Sequence, residues 1–219
     1  MKIFVTRKIP FWEEVSKPLY DAGHEVVVYE HNKKISREEL IEEISKGYDG
    51  LLCLLTEKID QGILIHDKQL KVIANYAVGF DNIDVPACQA KNIQVTNTPS
   101  DAVNESVAEM AWTLMLSLSR RLGEATSCMR NAAYRGWEPD IFLGMDLKGK
   151  TLGIIGSGRI GSLVASKGVA FQMNVLTHSR SSGTKLEDVL AQSNFISLHL
   201  PLTPETQHMI NNQTLKLMK

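Results

Sequence analysis

The segment Gly156-Ser157-Gly158-Arg159-Ile160-Gly161 directly follows the apolar run Leu152–Ile155 and opens an amphipathic stretch. In that position each glycine has a task. The first makes a tight turn, the second lets a pyrophosphate approach the backbone, and the third lets a helix pack on a strand. The amides of Gly158, Arg159, Ile160 and Gly161 would meet the phosphates with the positive end of a helix dipole behind them. The next strand normally ends in an acid that binds the adenosine ribose hydroxyls. Here no Asp or Glu occurs from Ser162 through Leu186, and the strand ends His178-Ser179-Arg180. A carboxylate would repel a 2′-phosphate, whereas a hydroxyl followed by a guanidinium would bond it. Ser179 and Arg180 therefore favour NADP over NAD, against the plainer alternative that Arg180 is a solvated surface charge.

Hydride transfer to a carbonyl needs a cation to polarise the oxygen and an acid to protonate it. Of the 6 histidines, only His178 and His199 end strands of the glycine-loop unit. His178 falls at the adenine end, and His199 is better read as a satisfied, half-buried histidine than as a catalyst. A second candidate is the loop Asn75–Asp84, where Gly79 allows backbone amides to turn toward an anion such as a carboxylate. The loop fits equally an ordinary connection in which Asp81 or Asp84 caps a helix.

The elements that must hold these residues follow from composition and period. The chain has 219 residues, 43% hydrophobic and 22% charged, with a net charge of −1. That balance excludes disorder, and the near-zero charge gives no basic field for nucleic acid. No apolar run reaches the ~18 residues of a membrane span, and the N-terminus lacks a signal-peptide pattern. Cys53, Cys88 and Cys128 are never within four residues of one another, which argues against a disulfide framework or metal cluster and for a reducing, cytoplasmic setting. Short β-branched runs at Lys2–Thr6, Glu25–Tyr29, Gly50–Leu55, Leu70–Ala74 and Ile93–Thr96 alternate with helical stretches at Phe11–Ala22, Ser36–Lys46 and Val85–Lys91, and with an ambiguous Asp60–His66. Ser36 with Glu39 forms a capping box, and Gly23 and Gly47 sit at helix C-caps. This is the pattern of an α/β domain with a parallel sheet, residues 1–98. Residues 99–219 read as a second one. Val107–Leu118, capped by Asp101 or Asn104, is apolar on nearly every side and should be buried all round, between domains or between two subunits of a homodimer. Trp112, Met110 and Met115 read as core or interface. Ala125–Tyr134 follows as a helix and Gly136–Gly149 as a loop. Then Thr151–Ile155, Arg159–Ala170, Asn174–His178, Lys185–Gln192 and Phe195–Leu200 make a βαβαβ half.

With those residues in view, the chain resembles the D-isomer specific 2-hydroxyacid dehydrogenases, most closely their glyoxylate/hydroxypyruvate reductase branch. The resemblance runs the whole length and is carried by LLCLLTEKID at 51–60, NYAVGFDNIDV at 75–85, VTNTP at 95–99, Ala108-Glu109, GKTLGIIGSGRIG at 149–161 and LPLTPET at 200–206. It implies a flavodoxin-like substrate domain, a Rossmann-type cofactor domain, an active site in the cleft between them, and a homodimer. It implies that the amides of Val78 and Gly79 hold the substrate carboxylate, that Leu54 and Leu55 line its pocket, that Gly156–Gly161 and Ser179-Arg180 hold the cofactor, and that Pro201 and Thr206 lie beside it. The implied reaction is reduction of a small 2-oxo acid to the D-2-hydroxy acid with NADP, or NAD as second choice. The family's catalytic Arg, Glu and His have no counterpart here and are expected beyond Lys219. The cofactor domain is therefore expected to be incomplete, with Thr151–Ile155 lacking a neighbour and exposing a bare apolar edge, and the chain to be inactive. The alternative is an NAD(P)-sensing, corepressor-like regulator without turnover.

Overall fold

The computed structural model describes residues 1–31 and 33–219, and the chain divides into two compact units, Met1–Ser100 and Asp101–Lys219. In the first, β1 (Lys2–Val5), β2 (Glu25–Val28), β3 (Gly50–Cys53), β4 (Val72–Asn75) and β5 (Gln94–Thr96) pair in parallel in the order β2-β1-β3-β4-β5. This is the flavodoxin-like order, whose winding reverses between β1 and β3 and leaves a crevice outside the carboxyl ends of those strands. Helices cover both faces, so the central strands are apolar along most of their length, with Phe4, Val5, Leu51, Cys53 and Ile73 buried.

Local chemistry sets the helix ends. Before α3 (Arg37–Ile44) the Ser36 hydroxyl accepts from the Glu39 amide and the Glu39 carboxylate accepts from the Ser36 amide, the expected capping box. The expected helix at 11–22 is instead two, α1 (Trp12–Val15) and α2 (Lys17–Asp21). Pro18 has no N–H to offer a preceding carbonyl, so it sits in the first turn of a new helix. The ambiguous stretch at 60–66 holds α4 (Gln61–Leu64), capped by Asp60. Asp84, rather than Asp81, caps α5 (Val85–Ala90), its carboxylate accepting from the Ala87 amide at 3.0 Å.

The second unit contains α6 (Asp101–Ser119), α7 (Leu122–Arg130), β6 (Thr151–Ile155), α8 (Arg159–Ala170), β7 (Asn174–His178), α9 (Leu186–Gln192), β8 (Phe195–Leu198) and α10 (Asn212–Leu215). Three sequence expectations need correction. First, α6 already begins at Asp101, so neither Asp101 nor Asn104 is its cap, and α7 lies a few residues earlier than the expected 125–134. Second, α6 is not buried on every side. Ala108, Trp112 and Met115 are buried, while Val107, Met110, Leu114 and Leu118 are 42%, 58%, 58% and 74% exposed. Trp112 stacks on Phe171 with centroids 4.6 Å apart and donates its indole N–H to the Val164 carbonyl at 3.1 Å, which fixes the packed face against α8.

Third, β6 has no bare edge. The sheet order is β7-β6-β8, with Leu152 opposite Val175 on one side and Phe195 on the other. The crossover through α9 carries the chain past β6 and lays β8 along its far side. A Cβ at Gly153 would meet Ser193 Oγ at 2.3 Å and Val189 Cγ1 at 2.7 Å, so only glycine lets α9 lie this close. The unpaired edge passes from the fully buried Leu152–Ile155 to the half-exposed β8, a smaller liability in water.

Candidate functional site

Two places collect unpaired backbone amides at carboxyl ends of parallel strands. The first is the glycine turn between β6 and α8. Gly156 has φ 98°, outside the usual range of L side chains. Its N–H donates to the His178 carbonyl at 2.8 Å, and a Cβ on it would stand 2.3 Å from the His199 carbonyl oxygen. The turn is thus clamped between the ends of β7 and β8. A Cβ on Gly161 would stand 1.9 Å from the Gly156 carbonyl oxygen, so the helix start packs directly on the turn. Gly158 differs from both: a Cβ there would meet nothing within 4 Å. No described residue accepts from the N–H groups of Ser157, Gly158, Arg159 or Ile160. Free donors, open space at the middle glycine and the head of a 12-residue helix fit a dinucleotide's pyrophosphate.

Beyond β7, residues 179–182 form a serine turn in which the Ser179 hydroxyl accepts from the Ser182 amide at 3.1 Å and lies 3.2 Å from the Ser181 hydroxyl. Arg180 is exposed at its tip. A hydrogen bond from Thr203 holds the Glu205 carboxyl below its usual range, with a smaller contribution from the Arg180 charge. The expected contacts Pro201 and Thr206 share one turn, where the Thr206 hydroxyl donates to the Pro201 carbonyl at 2.6 Å. Both strand-end histidines are engaged. His178 Nδ1 lies 2.8 Å from the Thr184 carbonyl, and His199 Nε2 lies 2.8 Å from the Ser197 hydroxyl. Burial lowers the His199 pKa, which disfavours the charged form of its ring.

The second place is the loop after β4. A Cβ on Gly79 would lie 4.0 Å from Leu55 Cδ2 and 3.3 Å from Asp81 Oδ1, so the structure brings Gly79 and Leu55 together as neighbours. The N–H groups of Val78 and Gly79 have no acceptor among the described residues. The scaffold of this loop escaped the sequence reading. Buried Glu57 accepts from the Leu54 amide at 2.7 Å and from the Thr6 hydroxyl at 2.9 Å, tying the end of β3 to the end of β1. Asn82 Nδ2 donates to the carbonyls of Leu54 and Glu57 at 3.1 and 3.0 Å, and buried Asn75 donates to Asn82 Oδ1 at 3.1 Å. Residues 54–57 and 75–82 are therefore one hydrogen-bonded body. Its only trace in the sequence is a set of polar residues interrupting apolar runs.

Among the described residues no group of His, Cys, Asp and Glu is placed to hold a metal, the cysteines are free, and no helix is long and apolar enough to cross a membrane. A unit of flavodoxin-like order followed by a nucleotide-type βαβαβ sheet with a glycine-turn donor cluster defines a two-domain dehydrogenase architecture. The family model described as D-isomer specific 2-hydroxyacid dehydrogenase, NAD binding domain, matches residues 112–219. The chain is 41% identical to a glyoxylate reductase of Thermococcus kodakarensis, in an alignment covering 100% of this chain and 68% of that protein. The TT0316 protein from Thermus thermophilus aligns with a TM-score of 0.91 at 36% identity, covering 100% of this chain and 71% of that one. D-lactate dehydrogenase from Aquifex aeolicus, solved with NAD and lactic acid, aligns with a TM-score of 0.83 at 32% identity, covering 100% and 66%. The chain belongs to the D-isomer specific 2-hydroxyacid dehydrogenase family.

Proposed function

We propose that the chain binds NADP(H) and a small 2-oxo acid of the glyoxylate or hydroxypyruvate kind, as the binding part of an NAD(P)H-dependent reductase that yields the D-2-hydroxy acid. The likeness of all of this chain to 68% of a glyoxylate reductase carries this proposal. Residues 99–219 would hold the nucleotide. The amides at 158–161 would face its pyrophosphate, Gly158 would give it room, and Ser179 and Arg180 would take the 2′-phosphate, with Pro201 and Thr206 beside it. Residues 1–98 would hold the acid, its carboxylate on the Val78 and Gly79 amides and its apolar side against Leu54 and Leu55. A reduced nicotinamide, when bound, supplies the hydride.

A proton must also reach the substrate oxygen; each strand-end histidine has one ring nitrogen engaged within its own segment, and neither is assigned as the proton donor. We therefore expect binding without turnover by these 219 residues. The exposed stripe Val107, Met110, Leu114 and Leu118 would be covered by a second copy of the chain, in a cytoplasmic setting suited to free thiols. The test is calorimetric titration with NADPH and NADH, alongside an NADPH-oxidation assay with glyoxylate. NADPH binding tighter than NADH, with no oxidation, is the expected result. Absence of binding to either nucleotide would overturn the proposal, and measurable oxidation would overturn the expectation of inactivity. Light scattering of Leu114→Glu, expected as a monomer beside a dimeric wild type, tests the stripe.

A further inference from the structure

We propose that Asn97 is a positioning residue that aims the Gly79 amide at the substrate carboxylate, an inference that rests on the assignment of Val78 and Gly79 as the acid-binding amides. In a trans peptide the carbonyl of one residue and the N–H of the next point in opposite directions, so anchoring the first aims the second. The Thr98 amide donates to the Ala77 carbonyl at 2.8 Å, which turns the Val78 N–H away from the segment after β5. Asn97 Nδ2 donates to the Val78 carbonyl at 2.7 Å, which turns the Gly79 N–H away from the same segment. Asn75 Nδ2 then holds the Gly79 carbonyl at 2.9 Å and fixes the following peptide.

Consecutive carbonyls at 77, 78 and 79 are thus each held by a donor, and the amides of Val78 and Gly79 are left without an acceptor of their own. A glycine loop held by nothing would sample many backbone states, and ordering it would cost binding energy. Anchoring from residues 97 and 98 removes that cost in advance. The two anchors also act separately. Thr98 works through its main chain and sets Val78, whereas Asn97 works through its side chain and sets Gly79. A substitution at 97 should therefore silence one amide of the pair and spare the other, which a general loosening of the loop would not do.

The test is a residue-resolved amide NMR titration of the full chain with oxalate, comparing wild type, Asn97→Ala and Asn97→Asp. The Asp variant keeps the size of the side chain and has no N–H to donate; because its charge itself weakens an anion's binding, it is read by the Gly79 response relative to Val78. In wild type the Val78 and Gly79 amides both shift on titration. In both variants the Gly79 response falls well below that of Val78, and Asn97→Ala binds oxalate about tenfold more weakly, the loss of one charge-assisted hydrogen bond. If neither wild-type amide responds, the acid-binding assignment of the loop fails and this inference falls with it. If both respond and Gly79 keeps its share in both variants, the loop binds the acid but Asn97 does not aim it.

Discussion

Replacing each glycine of the 156–161 turn by alanine separates packing from ligand binding. At Gly161 the added Cβ would stand 1.9 Å from the Gly156 carbonyl oxygen, and backbone must move to admit it. Overpacking of this kind costs about 1–3 kcal/mol, and alanine's better helix propensity returns up to ~1 kcal/mol. A net loss of ~1–2 kcal/mol lowers Tm by roughly 2–8 °C at this chain size. Gly156→Ala is worse, because φ 98° adds strain of about 1–3 kcal/mol to a contact of 2.3 Å with His199. Gly158 has φ −71° and ψ −166°, both open to alanine, and nothing within 4 Å of the new Cβ. There the reduced freedom of the unfolded chain offsets the loss of a good N-cap, leaving stability within ~0.5 kcal/mol of wild type. Its effect falls on the ligand instead. A methyl over the free amides holds a pyrophosphate off one or two charge-assisted hydrogen bonds and weakens NADPH binding by about 10- to 100-fold. Thermal unfolding of the three variants and calorimetric NADPH titration of Gly158→Ala read both effects. A Gly158→Ala protein that binds NADPH as tightly as wild type would show that the pyrophosphate does not sit over this turn.

Other outcomes follow from single contacts. Arg180→Ala should weaken NADPH about tenfold and leave NADH unchanged, the signature of a lost guanidinium–phosphate bond; equal losses for both nucleotides would refute the 2′-phosphate assignment. Burial depresses the His199 pKa in the folded state, so the unfolded chain takes up a proton first as pH falls below ~6.5. Stability that is full above that pH should decline from there down to the lower folded value, and urea unfolding of His199→Gln should show a flatter dependence between pH 8 and pH 5, about the range in which histidines titrate. Glu57→Ala leaves the Leu54 amide and the Thr6 hydroxyl without their acceptor and should cost about 2–4 kcal/mol in urea unfolding, whereas Glu57→Gln, which keeps one acceptor oxygen, should lose less.

What was legible in the sequence was whatever depends on local backbone demands. The glycine turn, the Ser36–Glu39 capping box and the glycines at 23 and 47 each answer a constraint set within a few residues, so their types reveal them. The path of β8 is not of that kind. Its residues form a strand on either side of β6, and only the crossover through α9 decides which. The exposed stripe of α6 is a related case: an all-round apolar helix shows that every side avoids water, but not which side this chain itself covers. Glu57, Asn75, Asn82 and Asn97 escaped because their partners depend on how distant segments meet. An isolated Asn or Glu looks the same whether it is solvated or holding a carbonyl nineteen residues away, as Asn97 does.

Both amide clusters arise from one physical device applied in two ways. Water-exposed N–H groups bind anions weakly unless their directions are set before the anion arrives, because ordering the backbone competes with the bonds it makes. At 158–161 the directions are set by helix geometry, which leaves its first donors unpaired and aligns the peptide dipoles behind them. At 78–79 there is no helix to do this, and the directions are set instead by holding the intervening carbonyls from residues 75, 97 and 98. The helix end suits a doubly charged pyrophosphate, since a dipole of about half a unit charge adds to the hydrogen bonds. The pinned loop offers two donors and no such dipole, with Asp81 Oδ1 close beside it, which suits a single carboxylate and works against a more highly charged anion. Millimolar phosphate should therefore compete with NADPH and leave the Val78 and Gly79 amides undisturbed; phosphate binding at the loop instead would show that its selectivity does not come from the missing dipole.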